Sequence, residues 1–224
     1  RIRLLADLAH EIRTPLATLE AYIDGMEDAM LPVDASSWAT MRTQVMRLRR
    51  LSGDLREVAA AEEHALGMAL ERIDAREVST SAVAAALPRF RAKGVTLAEQ
   101  HPAQPCWISG DDVRLQQVLA NLLDNALRHT QAGGTVRVVT SATGARVAIN
   151  VTDSGEGIPP EQLSSIFERF HRVDRSRTST DGSGSGLGLT IARAIVIDHG
   201  GALTAASAGR DRGATFTVEL PGRT

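Results

Sequence analysis

Cysteine is almost missing from this 224-residue sequence: the one present, Cys106, excludes an internal disulfide framework and any cysteine-clustered zinc site. No apolar run approaches the roughly 18–20 residues that a membrane span needs, and no signal-peptide pattern opens the chain. Charge of one sign is not in excess. A net charge of -2 supplies no basic field for nucleic acid, so a nucleic-acid partner is not expected. Lysine is nearly absent too, since among 25 basic residues only Lys93 is one, a skew of the kind that codon bias produces. No internal repeat is present. What remains is ordinary for a folded chain: 43% apolar and 23% charged residues exclude a disordered tail, and the length suffices for one large domain or two small ones. The first residues, Arg1-Ile2-Arg3-Leu4-Leu5, are already in helical periodicity without a preceding cap, so a segment of a longer protein is expected.

Residues 1 to about 70 read as two long amphipathic helices. Leu5, Ile12, Leu19 and Met26 recur every seven residues, Leu8, Tyr22 and Ala29 hold the second seam position, and Leu16, Ile23 and Met30 widen the stripe. Leu31-Pro32-Val33-Asp34 breaks the first helix, with Ser36 or Ser37 as the expected cap of the second. In that second helix Met41, Leu48 and Leu55 repeat at seven, beside Val45, Leu51 and Val58. Heptads on two helices joined by a short break suggest an antiparallel hairpin. One hairpin cannot cover stripes this wide, so pairing with a second copy into a four-helix bundle is expected. The alternative is a monomeric hairpin packed on the rest of the chain.

From about residue 71 the pattern changes. Short β-like runs at Glu71–Ala75, Val95–Glu99 and Cys106–Ser109 surround a helix near Ser79–Ala92. A strong helix at Asp111–Thr130 precedes two strands, Thr135–Ser141 and Arg146–Asp153. After a Gly/Ser/Arg-rich stretch, Asp174–Ser185, come a helix at Leu187–His199 and a hairpin of Ala202–Ala208 with Ala214–Leu220. Mixed, mostly antiparallel strands with helices on one face predict an α+β two-layer sandwich. The low apolar content of Asp174–Ser185 predicts local mobility there.

Three features of this second half carry chemistry. Asn121 and Asn125 lie four apart on one helix face, with Gln117 a turn before, Arg128 just after, and Val118, Leu119, Leu122, Ala126 and Leu127 on the other side. Asparagine is a poor helix former, so this face suits either solvent or a ligand; carboxamide oxygens meet hard cations and Arg128 meets phosphate. In the strand Val147-Ala148-Ile149-Asn150-Val151-Thr152-Asp153, period two puts Asp153 on the apolar side. A carboxylate there needs a donor, and a purine amino group is one. Ser154-Gly155-Glu156-Gly157-Ile158-Pro159 follows, a turn whose glycines allow close approach to the backbone. Third, Gly182-Ser183-Gly184-Ser185-Gly186-Leu187-Gly188-Leu189 runs into a helix, where freed N–H groups and positive potential suit phosphate. The Gly-Lys-Ser/Thr of a Walker loop is missing.

In this order and spacing the three features resemble the ATP-binding domain shared by sensor histidine kinases, gyrase, the ninety-kilodalton heat-shock chaperones and mismatch-repair ATPases. Asn121-Leu122-Leu123-Asp124-Asn125-Ala126-Leu127-Arg128-His129-Thr130 is similar to the family's N box, and Asp153-Ser154-Gly155-Glu156-Gly157-Ile158 to its G1 box. Ile166-Phe167-Glu168-Arg169-Phe170 is similar to the F box, and Gly184-Ser185-Gly186-Leu187-Gly188-Leu189 to the G2 box. The resemblance spans roughly residues 71 to 220. It implies that Asn125 binds Mg²⁺, with Asn121 and Arg128 near the phosphates of ATP. It also implies that Asp153 reads adenine in a pocket lined by Gly155 and Gly157, and that Gly184, Gly186 and Gly188 hinge a lid over the triphosphate. Ile158, Leu187 and Thr215 are carried as further nucleotide-binding positions, as is His129, which stands where many relatives have tyrosine.

Ala9-His10-Glu11-Ile12-Arg13-Thr14-Pro15-Leu16 lies on the first helix. With Leu5 and Leu8 as core positions, His10 falls at the outermost heptad position and Thr14 shares its face. Glu11 is placed to orient the ring or take its proton, Arg13 to meet phosphate, and Pro15 strains the adjacent turn. The octet resembles the H box of sensor histidine kinases, which among these relatives they alone carry. The implied activity is autophosphorylation of His10 by bound ATP, followed by transfer to an aspartate of a response regulator, with Glu11 and Thr14 also implied in dephosphorylating that regulator. The expected organisation is a homodimerising phosphoacceptor hairpin over 1–70 and an ATP-binding catalytic domain over 71–224. This segment is then cytoplasmic, and a membrane anchor and sensor are expected in an absent N-terminal part of the full-length protein. Two alternatives stand beside this reading. One is an ATP-gated machine that only hydrolyses ATP, against which Asn121 stands where such proteins hold a general-base carboxylate. The other is a degenerate dimeric scaffold.

Overall fold

The computed structural model describes residues 2–46, 48–49, 68–167 and 188–223, with side chains from Ile12 onward. These residues fall into two units, 2–49 and 68–167 with 188–223. Several expected features lie outside the described residues: Leu51, Leu55 and Val58 of the second helix, Asp174–Ser185, and the side chains of His10 and Glu11.

In the first unit, α1 spans Ile2–Glu27 and accommodates Pro15 without ending. Helix α2 covers residues 35–46. The chain turns between them by closing the Leu31 N–H on the Gly25 carbonyl at 2.7 Å. The cap of α2 is Asp34, not Ser36 or Ser37: its Oδ1 accepts from the Ser37 N–H at 2.8 Å, the spacing a cap needs. Ser37 is buried in the first turn, and its hydroxyl donates back to the Pro32 carbonyl at 2.7 Å. The hydrogen bond from the Ser37 N–H holds the Asp34 carboxyl below its ordinary range. The apolar stripe of this unit remains largely bare, with Ile12, Leu16, Ile23, Val45 and Met46 all exposed.

In the second unit, β1 (Glu71–Asp74) and β3 (Trp107–Gly110) form a separate antiparallel two-stranded sheet, and the Arg72 guanidinium stacks 4.2 Å from the Trp107 ring centre. Between them come α3 (Ala75–Lys93) and β2 (Thr96–Gln100). Helix α3 is longer at its start than the pattern predicts, because Asp74 caps it through the Arg76 N–H and also accepts from the Cys106 N–H. Helix α4 (Asp112–His129) follows, then β4 (Thr135–Thr143) and β5 (Arg146–Asp153). After a 3-10 turn at Pro160–Gln162 come α5 (Gly188–Asp198), β6 (Ala202–Ala206) and β7 (Ala214–Pro221).

The five-stranded sheet has the order β2-β4-β5-β7-β6, parallel only between β2 and β4. One face takes the helices. Val147, Ile149 and Val151 of β5 and Phe216, Val218 and Leu220 of β7 are buried there, together with Phe90 of α3, Leu119 and Leu122 of α4, and Ile195 of α5. Alternation along β5 and β7 leaves the other face half-exposed. This is the two-layer α+β sandwich that the pattern predicts.

Candidate nucleotide site

Helix α4 forms because its apolar residues recur on one face and both ends are closed. Asp111 caps the start, accepting from the Arg114 N–H at 3.1 Å. Lys93, the single lysine, closes the end: its ammonium donates to the carbonyls of Leu127 and Arg128 at 2.6 and 3.0 Å. Leu115, Val118, Leu119, Leu122, Leu123 and Ala126 are buried, which turns Asn121 and Asn125 onto the remaining face at half-burial and leaves Arg128 exposed. The Asn121 Nδ2 is shut off from solvent with no hydrogen-bond partner. The Asn125 carboxamide makes no hydrogen bond among the described residues. A buried amide left unsatisfied is costly, so a polar ligand at this face would supply a partner that the described residues do not. An uncommitted carboxamide oxygen at Asn125 fits a hard cation such as Mg²⁺.

Strand β5 carries Asp153 onto the buried face, where it is 6% exposed. Its Oδ1 accepts from the Gly155 N–H at 2.8 Å and from the Ala214 N–H at 3.3 Å. Its Oδ2 accepts nothing among the described residues, which leaves one carboxylate oxygen for an incoming donor. Burial pushes the Asp153 carboxyl above its ordinary range, against the pull of these two N–H groups.

The turn after Asp153 is fixed by the fold itself. A Cβ on Gly155 would collide with the His129 carbonyl oxygen, and one on Gly157, at φ +67°, with the Gly209 carbonyl oxygen. The glycines therefore let the turn seat against α4 and the 209–213 loop; the protein's own backbone makes the close approach that the sequence pattern assigned to a ligand. Ile158 is buried, and its N–H donates to Ser207 Oγ at 3.0 Å. Ser207 in turn donates to the Gly213 carbonyl at 2.7 Å. His129, the last residue of α4, pairs through Nδ1 with the Glu156 carboxylate, and the Glu156 N–H donates to the His129 carbonyl at 3.2 Å. Glu156 and Ser207 were missed as parts of this site. Glu156 sits inside a recognisable turn, whereas nothing in the sequence joins Ser207 to Ile158, 49 positions away.

Thr215 is not brought to the site. Alternation along β7 puts Ala214 on the Asp153 side and Thr215 on the opposite face, where its hydroxyl bonds Thr152 Oγ1 at 3.0 Å. Gly188 opens α5 beside Asn121: a Cβ there would lie 3.5 Å from Asn121 Oδ1. Phe167 packs edge-on against Phe216 at 6.4 Å, and its carbonyl accepts from Thr190 Oγ1 at 3.1 Å. Gly184, Gly186 and Leu187, with Arg169 and Phe170, lie outside the described residues. So does the side chain of His10, although its backbone is helical, and Thr14 lies exposed further along α1.

Residues 110–224, about half the chain, match the histidine kinase-, DNA gyrase B- and HSP90-like ATPase family, and residues 1–64 match the His kinase A phospho-acceptor domain. The chain belongs to the histidine kinase branch of that ATPase family. The signal transduction histidine-protein kinase BaeS of Escherichia coli strain K12 is 35% identical over 97% of this chain and 46% of its own length. The chain thus spans about half the length of that relative. Among solved structures, the Acinetobacter baumannii histidine kinase AdeS superposes with a TM-score of 0.72 at 25% identity, covering 96% of this chain and 98% of that one. Full-length ShkA in complex with AMPPNP gives 0.69 at 29% identity, covering 99% of this chain and 46% of that one. Both uncommitted groups described above, the Asn121–Asn125 face and Asp153, lie within the matched range 110–224.

Proposed function

We propose that this chain binds ATP and phosphorylates its own His10, then passes the phosphoryl group to an aspartate of a response regulator. The observation that carries the nucleotide reading is Asp153: a buried carboxylate with one oxygen bonded to two backbone N–H groups and the other uncommitted. A purine amino group supplies the missing donor. The solved relative that holds AMPPNP, a nucleoside triphosphate analogue, supports the same ligand class. Asn125 holds Mg²⁺ through its free oxygen, Asn121 and Arg128 face the phosphates, and the segment through Gly184, Gly186, Leu187 and Gly188 supplies N–H groups to them. When bound, the cation neutralises charge that develops on the transferring phosphoryl group.

His10 lies within the segment that matches a phospho-acceptor domain. In the transfer, its neutral imidazole nitrogen attacks the γ-phosphorus, a P–N bond forms, the bond to the β–γ bridging oxygen breaks, and ADP leaves. Glu11 orients the ring and receives its proton. This reading divides the chain into a phospho-acceptor domain over 1–70 and a catalytic domain over 71–224, and the family matches at 1–64 and 110–224 support it. The bare stripe of Ile12, Leu16, Ile23 and Val45 supports a homodimer closed through the helices of the first unit. Thr14, exposed one turn from His10, orients the water that dephosphorylates the regulator. The reading also places this segment on the cytoplasmic side of a membrane-anchored full-length sensor; among the described residues no helix is long and apolar enough to cross a membrane.

Incubation with γ-labelled ATP tests the assignment. Acid-labile, base-stable label on the chain is expected, and His10→Gln removes it while leaving ATP affinity unchanged. Released phosphate without label would identify a plain ATPase, and neither product a scaffold.

A further inference from the structure

His199 is a buried titratable group that phosphoryl transfer does not use. It is 6% exposed and follows the last residue of α5. Both ring nitrogens are committed. Nε2 accepts from the Asp111 N–H at 3.0 Å, which fixes Nδ1 as the protonated nitrogen, and Nδ1 donates to the Ile195 carbonyl at 2.7 Å. Asp111 is itself held. Its Oδ1 caps α4 through the Arg114 N–H, and its Oδ2 accepts from the Ala69 N–H at 3.3 Å, just before β1. The ring therefore ties the end of α5 to the residue that starts α4.

The start of α5 meets the middle of α4, because Gly188 lies beside Asn121. From Asp111 to Asn121 is ten residues, about 15 Å of helix, and from Gly188 to His199 is eleven, about 16 Å. Helix α5 thus runs antiparallel to the first half of α4, with the His199 bond at one end of this stretch and the nucleotide face at the other. Between the ends the two helices are in contact, and both bury apolar residues there, Leu115, Leu119 and Leu122 on α4 and Ile191, Ala192 and Ile195 on α5. Apolar burial sets how close two helices lie but is non-directional, so it resists an axial slip weakly. The hydrogen bond from Asp111 to His199 is directional and sets the register.

We propose that the His199–Asp111 clasp fixes the register of α5 on α4 and so places the Gly188 backbone against Asn121, which makes His199 a positioning residue for ATP binding. The proposal rests on the nucleotide reading above. It concerns a residue that touches neither nucleotide nor metal, roughly a helix length from the groups it positions.

Two isosteric substitutions separate the clasp from general stability. Gln places its amide oxygen near the site of Nε2 and keeps an acceptor for the Asp111 N–H. Asn places its amide nitrogen near Nδ1, keeps the bond within α5 and loses the clasp. Titration of the 224-residue chain with Mg²⁺-ATP, beside thermal melts, is the experiment. His199→Asn is expected to weaken ATP binding about tenfold, since misplacement by about 1 Å in such sites costs up to about a hundredfold. His199→Gln is expected within about twofold of the unsubstituted chain, even where both variants lose similar thermal stability. Equal affinity in all three chains, or equal weakening in both variants, overturns the clasp. If His199→Asn does not fold, exchange of the Asp111 amide in the unsubstituted chain gives the answer: ATP should slow it, and an unchanged rate overturns the proposal. Failure of the unsubstituted chain to bind ATP overturns the nucleotide reading itself, whereas normal binding with indifferent variants overturns the clasp alone.

Discussion

Asp153→Asn separates a binding carboxylate from a turn residue. In the folded chain Oδ1 accepts from the N–H groups of Gly155 and Ala214. The asparagine carbonyl can keep both bonds, so the turn should survive. The change falls on Oδ2, where an N–H₂ group replaces the uncommitted oxygen and faces an incoming amino group, donor against donor. A hydrogen bond to a charged group contributes about 1.5–3 kcal/mol. Its loss corresponds to a rise of about 10- to 150-fold in Kd for ATP. Stability should move the other way. Burial raises the Asp153 carboxyl above 3.8, so the folded chain holds that proton to higher pH than the unfolded chain does. The ligand-free wild type therefore loses stability as pH rises from about 4 through the raised value. Asp153→Asn has no such loss, so the variant should gain on the wild type over that window and be at least as stable at pH 7. Calorimetric titration with ATP and GTP measures the first effect, and thermal melts across pH the second. An unchanged preference for ATP over GTP would refute the reasoning, as would a variant whose stability falls together with its affinity.

Asn125→Ala removes the uncommitted oxygen assigned to Mg²⁺. ATP affinity measured with and without Mg²⁺ should then differ far less than in the wild type, and an unaltered metal dependence counts against the assignment. Gly157→Ala puts a Cβ into the Gly209 carbonyl at a backbone φ of +67°, so a loss of more than about 1–3 kcal/mol in denaturant unfolding is expected, strain and collision together. Lys93→Met keeps the aliphatic stem but withdraws the donor from the Leu127 and Arg128 carbonyls; a cost of about 0.5–1.5 kcal/mol is expected, and no change would mean that water closes α4 equally well.

The local rules of the chain were legible in its sequence. A period of 3.6 sorted α4 into a buried side and an asparagine face, and a period of two put Asp153 among Val147, Ile149 and Val151. Such patterns repeat within a few residues, and burial of one face enforces them whatever the rest of the chain does. Everything decided by partners distant in sequence had to wait for the fold. The pairing of β1 with β3 in its own small sheet depends on residues 39 and 37 positions apart, Glu71 against Gly110 and Arg72 against Ser109, with α3 and β2 in between. Asp34 rather than a serine caps α2, because Ser37 found the Pro32 carbonyl. Thr215 and Ala214 are neighbours in sequence, yet strand pairing sent one away from Asp153 and aimed the backbone of the other at it. The roles of Gly155 and Gly157 followed from carbonyls of α4 and the 209–213 loop. The bond from Asp111 to His199 spans 88 positions. Periodicity carries the burial of a face, whereas the partner of a directional group is chosen only when distant segments meet, and that choice belongs to the tertiary structure.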